Sequence, residues 1–385
     1  MGETKGRFAL VSTYAHLSRN SMERMLTAGF PEFEVENFSV DEVVKRNWRW
    51  IVPNMWYVAR EFGRKLVRRQ ITLRPAYFWT THNFVRVHRA MRQLIQPGRH
   101  LFSFQMQSLY NTSVPGVPHF VYTDHTHLSN LNYPDFDRQE LRSPKWIALE
   151  RSIYETATVV FTRSTDVAAD LVRFYGIPAD KIECVYAGSN VDVKNAGLPN
   201  NGGYSNQRIL FVGVDWVRKG GPELLKAFES VLKSHPNAHL TIAGSDTPVD
   251  LPNCTVLGPV NADELSRHYA EASIFCLPTK REPFGIAFVE AMMHRLPIVG
   301  TRIGAVPDMV EDGVNGYLVE PGQSDTLAKA LCRLLDSPET CQTFGQRSFQ
   351  KAVDRYTWAG TGQRIRKRIL RELVASGQLR REATL

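Results

Sequence analysis

The chain has little of what marks an exported, membrane-spanning or metal-stapled protein. Its 385 residues hold only five cysteines, Cys184, Cys254, Cys276, Cys332 and Cys341. They are scattered, odd in number and form no CxxC pair, which argues against a disulfide framework or a zinc site and for a reducing setting. No stretch approaches the roughly 20 apolar residues that cross a bilayer. The first eleven residues contain only the short apolar run RFALV, with no secretory cleavage site behind it. There is no P-loop, no internal repeat and no low-complexity tract. These absences lead us to expect a cytoplasmic protein.

What is present fits two cores. A chain of this length suits two domains, and 43% hydrophobic with 22% charged residues is the balance of a globular protein. The net charge of +8 is unevenly placed. Arg46 to Arg99 is dense in basic residues interleaved with Trp48, Trp50, Trp56, Tyr57, Phe62, Tyr77, Phe78 and Trp79, and Arg364 to Arg381 is basic again. Such mixtures suit an anionic membrane surface, a phosphorylated acceptor or nucleic acid, and equally a solvated helix face. No nucleic-acid module signature accompanies them, so nucleic acid is not expected as a partner.

Apolar runs at 7–12, 100–104, 119–122, 158–161 and 182–186 read as strands, separated by segments of helical period such as 146–154 and 166–175. A second alternation has strands at 208–212, 239–243, 255–257, 274–277 and 297–300, with helices at 222–233, 262–271, 284–294 and 325–335. Between the two lies a stretch crowded with Asn and Gly. We therefore expect an α/β protein of two Rossmann-like domains, residues 1–192 and 208–358, joined by a linker at 193–207. Their parallel sheets would face a central cleft, and a helical segment at 359–385 would return to the first domain.

The most informative string is Glu282-Pro-Phe-Gly-Ile-Ala-Phe-Val-Glu290, which follows a strand and opens a helix. The amides of Phe284, Gly285 and Ile286 at that helix start would favour an anion or sugar oxygens. Glu290 lies about 7.5 Å further along the axis, so the two carboxylates would grip opposite ends of an extended ligand, one of them a ribose diol. Upstream, Gly213-Val-Asp-Trp-Val-Arg218-Lys219-Gly-Gly221 places two cations in a glycine-flanked turn before a helix, which suits a diphosphate.

Together these elements resemble the retaining glycosyltransferases of the GT-B fold, in particular glycosyltransferase family 4. The resemblance implies a hexosyltransferase that needs no metal or other cofactor and takes a nucleotide diphosphate sugar, a UDP-sugar ahead of a GDP-sugar. It implies that Gly213, Arg218 and Lys219 receive the diphosphate, Glu290 the ribose, and Glu282 with Phe284, Gly285 and Ile286 the transferred sugar. Gly258 and Val260 match where the family passes backbone over the nucleobase. In the first half, Thr123-Asp-His125 resembles a motif whose histidine reaches the donor sugar, so the catalytic set is His125, Arg218, Lys219 and Glu282. Ser164 and Gly188-Ser-Asn190 resemble interdomain positions.

The first domain departs from the family pattern after its first strand. A glycine-rich turn is usual there, and this chain has Val11-Ser-Thr-Tyr-Ala-His16 instead. By position alone, Ser12, Thr13, Tyr14 and His16 are acceptor-site candidates. His127 makes an HxH with His125, but no further ligand cluster accompanies it, so no metal site is expected. Asp135-Phe-Asp137 reads as DxD yet sits in a loop, where a helix cap explains it better. The expected acceptor is a hydroxyl on a glycan, glycolipid or other membrane-proximal molecule, which would place the protein peripherally at the inner membrane face. A nucleotide-sugar epimerase of the same fold and a non-catalytic nucleotide- or glycan-binding protein are the alternatives.

Overall fold

A computed structural model describes residues 6–13, 21–191 and 203–379. In the first half the order is β1 (Arg7–Ser12), α1 (Ser21–Gly29), β2 (Glu34–Ser39), α2 (Val40–Arg46), α3 (Ile51–Val67), α4 (Leu73–Phe78), α5 (Thr81–Leu94), β3 (Phe102–Met106), β4 (His119–Thr123), α6 (Pro144–Thr156), β5 (Val159–Thr162), α7 (Thr165–Tyr175) and β6 (Ile182–Cys184). The second half runs β7 (Arg208–Val212), α8 (Gly221–Ser234), β8 (His239–Ala243), β9 (Cys254–Gly258), α9 (Ala262–Glu271), β10 (Ile274–Leu277), α10 (Ile286–Met293), β11 (Ile298–Thr301), α11 (Val306–Met309) and β12 (Gly316–Val319). Three helices follow: α12 (Ser324–Leu335), α13 (Pro338–Arg355) and α14 (Trp358–Ala375).

The strands form two six-stranded sheets, ordered β2-β1-β3-β4-β5-β6 and β12-β11-β10-β7-β8-β9, and all the pairings are parallel. Both are Rossmann-like. Central strands such as β3, β4, β5, β10 and β11 are buried throughout, because helices cover both faces of a parallel sheet. In the second sheet the chain reverses direction between β7 and β10, so their outgoing turns diverge and open a crevice at the carboxyl ends.

Two edge strands are absent from the sequence reading. β2 reads EVENFS and carries no apolar run, while β12 reads GYLV, apolar but only four residues long, and neither is fully buried. The basic, aromatic segment 46–99 folds into α3, α4 and α5 between β2 and β3.

The last helix belongs to the first core. Ile365, Ile369 and Leu373 of α14 are fully buried among Phe8, Phe102, Phe120 and Phe161. Arg366 donates to Gly29 O at 2.8 Å and to Glu32 at 2.6 Å, and Arg368 pairs with Glu183 at 3.2 Å. Ile369→Ala should destabilise the protein by about 2–4 kcal/mol, the usual cost of emptying a buried aliphatic site. Chemical denaturation measures it, and an unchanged midpoint would mean that α14 is not seated in that core.

Candidate active site

Two turns that leave adjacent parallel strands build the centre of the site. The turn after β7 is closed by Lys219 N–H to Asp215 O at 2.8 Å, Gly220 N–H to Val217 O at 3.2 Å and Gly221 N–H to Trp216 O at 2.9 Å. Gly220 must be glycine twice over, since its φ is 78° and a Cβ would lie 1.9 Å from Pro278 O. The turn after β10 docks on it: Lys280 N–H donates to Arg218 O at 2.8 Å, and Arg218 Nη1 donates to Arg281 O at 3.0 Å. Across this junction Lys219 Nζ and Glu282 Oε2 form a short ion pair whose side chains are 13% and 5% exposed.

Glu282, Phe284, Gly285 and Ile286 lie together at the start of α10. The helix begins at Ile286, with Gly285 as its cap in the left-handed region at φ 91°. Among the described residues none accepts a hydrogen bond from the amides of Phe284, Gly285 or Ile286. They are oriented donors at a positive helix end. Glu290 sits further along α10, where Tyr269 Oη donates to it at 3.3 Å and burial pushes its carboxyl up to about 6.

Gly213 N–H donates to Ala243 O at 2.9 Å, and Gly244 N–H donates to Gly258 O at 2.8 Å. A Cβ on Gly244 would lie 3.1 Å from the Gly213 carbonyl, so the turns after β7, β8 and β9 touch through glycine backbone. Gly258 is left-handed at φ 68°, and Val260 follows it on the loop into α9. Gly244 was missed in the sequence, because an isolated glycine after a strand carries no signal without its neighbours.

Arg218 and Lys219 both have protein partners. Arg218 Nε donates to Asp215 at 3.1 Å, and Lys219 is held by Glu282. An ammonium has three N–H donors and a guanidinium five, so each keeps donors beyond these bonds.

The first half supplies the facing wall. His125 stacks on Tyr133 with ring centroids 5.9 Å apart and planes at 13°. Its Nδ1 is buried without a hydrogen-bond partner, and burial lowers its pKa, keeping the imidazole neutral. Tyr133 reaches the second half: its hydroxyl lies 3.6 Å from where a Gly304 Cβ would sit, and that same Cβ would meet Glu282 O at 2.2 Å. Ser12 and Thr13 are buried and line a cavity of about 570 Å³ with Gln107, Asp124, Phe284 and Ile286. Tyr14 and His16 lie outside the described residues.

The metal-like motifs have structural partners. His127 Nε2 accepts the backbone N–H of Arg142 at 2.9 Å, and its pKa falls to about 3, mainly through burial. Asp137 caps a short helical turn by accepting from Gln139 N–H at 2.8 Å. Asp135 accepts from Arg281 Nε at 2.8 Å, a bridge between the two halves. Ser164 caps α7 and accepts from Val167 N–H at 3.2 Å, and Gly188 lies where a Cβ would strike Trp358. Among the described residues no group of three or more His, Cys, Asp or Glu is arranged to hold a metal.

This architecture, two Rossmann-like sheets with a cation turn and a glutamate turn meeting at a switch point, is that of the GT-B enzymes. The profile described as Glycosyl transferases group 1 matches residues 206–337, and the one described as Glycosyltransferase Family 4 matches residues 51–193. The chain belongs to the GT-B glycosyltransferases of family 4. It is 28% identical over 232 residues to an uncharacterized glycosyltransferase of Methanocaldococcus jannaschii, covering 54% of this chain and 58% of that protein. The matches to three curated relatives span 58%, 50% and 56% of those proteins' length. Sucrose-phosphate synthase from Thermosynechococcus elongatus superposes with a TM-score of 0.67 at 16% identity, covering 96% of this chain and all of that one. Anabaena HepE, solved with UDP and glucose, gives 0.61 at 14% identity over 94% of this chain and 98% of its own.

The buried ion pair makes a direct prediction. Lys219→Ala leaves Glu282 buried without its counter-charge and should cost about 3 kcal/mol. Lys219→Met with Glu282→Leu should recover most of that loss. Denaturant midpoints of Lys219→Met, Glu282→Leu and the double variant decide it; additive losses would mean that the two groups do not interact.

Proposed function

We propose that this protein transfers a hexose-type sugar from a nucleotide diphosphate sugar, a UDP-sugar ahead of a GDP-sugar, to an acceptor hydroxyl with retention of configuration. The observation that carries this reading is the meeting of the Lys219 and Glu282 turns beside the unsatisfied amides of Phe284 to Ile286. Arg218, Lys219 and these amides would stabilise the leaving diphosphate, so that the charge is met by fixed protein groups without a metal. Glu290 would accept the ribose hydroxyls, with Gly258 and Val260 beside the base. Glu282, already held by Lys219, would orient the transferred sugar. His125, neutral and stacked on Tyr133, faces the sugar from the first domain. The acceptor enters from the first-domain wall, with Ser12 and Thr13 on its approach. The solved relative from Anabaena was crystallised with UDP and glucose, which supports the choice of nucleotide.

Incubating labelled UDP-, GDP- and ADP-sugars with a panel of glycan and glycolipid acceptors tests the reaction. A glycosidic product that is lost in Glu282→Ala and Glu290→Ala is expected. An isomerised sugar formed without acceptor would instead indicate an epimerase, and nucleotide binding without turnover a binding protein.

The acceptor is proposed to lie near an anionic membrane surface. Trp48, Ile51, Val52, Met55 and Trp56 form an exposed stripe at helical spacing on and before α3, with Trp48 67% and Val52 81% exposed. Arg49 and Arg60 lie over the Trp48 and Trp56 rings at 5.6 and 5.2 Å. Aromatics flanked by arginines suit a headgroup interface. Among the described residues no helix is long and apolar enough to cross a membrane. Trp48→Ser with Trp56→Ser should reduce co-sedimentation with phosphatidylglycerol vesicles; no binding by the unaltered protein would remove this part of the proposal.

The Glu290 carboxylate sets a pH dependence. Its folded-state pKa is raised to about 6, so below that pH the group is protonated and accepts ribose hydroxyls less well. UDP-glucose affinity should therefore rise as pH increases through about 6, and Glu290→Gln should flatten the profile. Calorimetric titration across pH 5 to 8 measures both.

A further inference from the structure

A cavity of about 950 Å³ opens on the first-domain side of the cleft, bounded by Asp124 and His125 at its inner end and by the C-terminal end of α3 at its outer end. It shares Gln107 and Asp124 with the smaller cleft that holds Phe284 and Ile286, so the two spaces adjoin at the expected reaction centre. Its lining holds four cations and three acids: Lys65 from the end of α3, Arg69 from the turn after it, Arg142 from the loop before α6 and Arg281 from the second domain, with Asp124, Glu140 and Glu150.

Arg142 is the unusual member. Its guanidinium is clamped between the Trp79 and Trp146 rings at 4.2 and 4.0 Å, and Trp146 Nε1 donates to Trp79 O at 3.0 Å, which fixes the two indoles. The backbone is held as well, since Arg142 N–H donates to His127 Nε2 at 2.9 Å. Yet Nη1 is buried with no hydrogen-bond partner, and the side chain forms no ion pair within 4.0 Å of a described carboxylate. Of the three acids in the lining, Glu140 forms no ion pair with a described cation, and the other two are engaged elsewhere. Asp124 pairs with Arg163 at 3.4 Å, and Glu150 takes the hydroxyls of Tyr175 and Tyr154 and the His127 N–H. Burial pushes Glu150 up to about 7 and brings Arg142 down to about 10, so the arginine stays charged at neutral pH. Two indole faces offset part of the cost of burying this cation, but they leave an N–H donor aimed at no acceptor.

We propose that this cavity is the acceptor site and that Arg142, supported by Lys65 and Arg69, binds a carboxylate or phosphate carried by the acceptor. The assignment rests on the transferase reading above and adds the acceptor's charge. A planar guanidinium pre-oriented by two flat rings suits the two oxygens of either anion. The anion would sit against the tryptophans while a hydroxyl elsewhere on the acceptor reaches past His125 and Asp124 toward the donor sugar.

The test separates the two claims. Titration with UDP comes first and reports on the donor site alone; no UDP binding would sink the transferase reading. The UDP-saturated protein, its diphosphate site occupied, is then titrated with glucose, glucuronate and glucose 6-phosphate. The proposal expects one or both anionic probes to bind roughly tenfold or more tightly than glucose, and the carboxylate and phosphate arms tell which anion is preferred. Arg142→Gln should remove that advantage while leaving UDP affinity unchanged, and Arg69→Gln, in the exposed turn after α3, should reduce it without touching the indole clamp. Equal binding of glucose and both anions by the unaltered protein would overturn the proposal. So would an Arg142→Gln protein that folds and keeps the full anion preference.

Discussion

Burying a lysine and a glutamate together is favourable only when each supplies the other's charge and the remaining donors find partners. The Lys219–Glu282 pair meets that condition at the junction of two turns that leave β7 and β10. It therefore fixes more than two side chains. With Lys280 N–H on Arg218 O, and Arg218 Nη1 on Arg281 O, it sets the relative height of the cation turn and the start of α10. The unpartnered amides of Phe284, Gly285 and Ile286 follow closely on Glu282 at that helix start. Arg281, the residue before Glu282, reaches across to Asp135 of the first half, so one loop carries both the ion pair and the bridge between domains.

The second half was the more legible in sequence because its site is built from local signals. A strand, a glycine-flanked turn and a helix start are contiguous, and Arg218, Lys219, Glu282 and Glu290 could be placed without knowing what lay beside them. What stayed hidden was pairing. Nothing in the string 213–221 says that Lys219 meets a carboxylate sixty-three residues on, or that Tyr269 donates to Glu290. The DxD at 135–137 shows the same limit: one aspartate caps a turn and the other bridges to Arg281.

The first half was harder to read for a related reason. β2 has few apolar residues, and α3 to α5 interrupt the alternation that identifies a parallel sheet. The arginine clamp joins residues 79, 142 and 146, two of them on opposite sides of two strands, and only the fold brings them together. Only Trp79 fell within the basic and aromatic stretch 46–99, and composition cannot distinguish a solvated face from a walled cavity. Ser12 and Thr13 line the cleft; the larger space that holds Arg142 lies further along the same wall.

Hydrogen exchange in the presence of UDP-glucose tests the central claim most directly, because it locates the donor without requiring the correct acceptor. Bound donor should slow exchange in the 213–220 turn and at the amides of Phe284, Gly285 and Ile286, with smaller changes around Gly258. Protection confined to the first half, or none under conditions where calorimetry detects binding, would contradict the placement of the donor between these two turns.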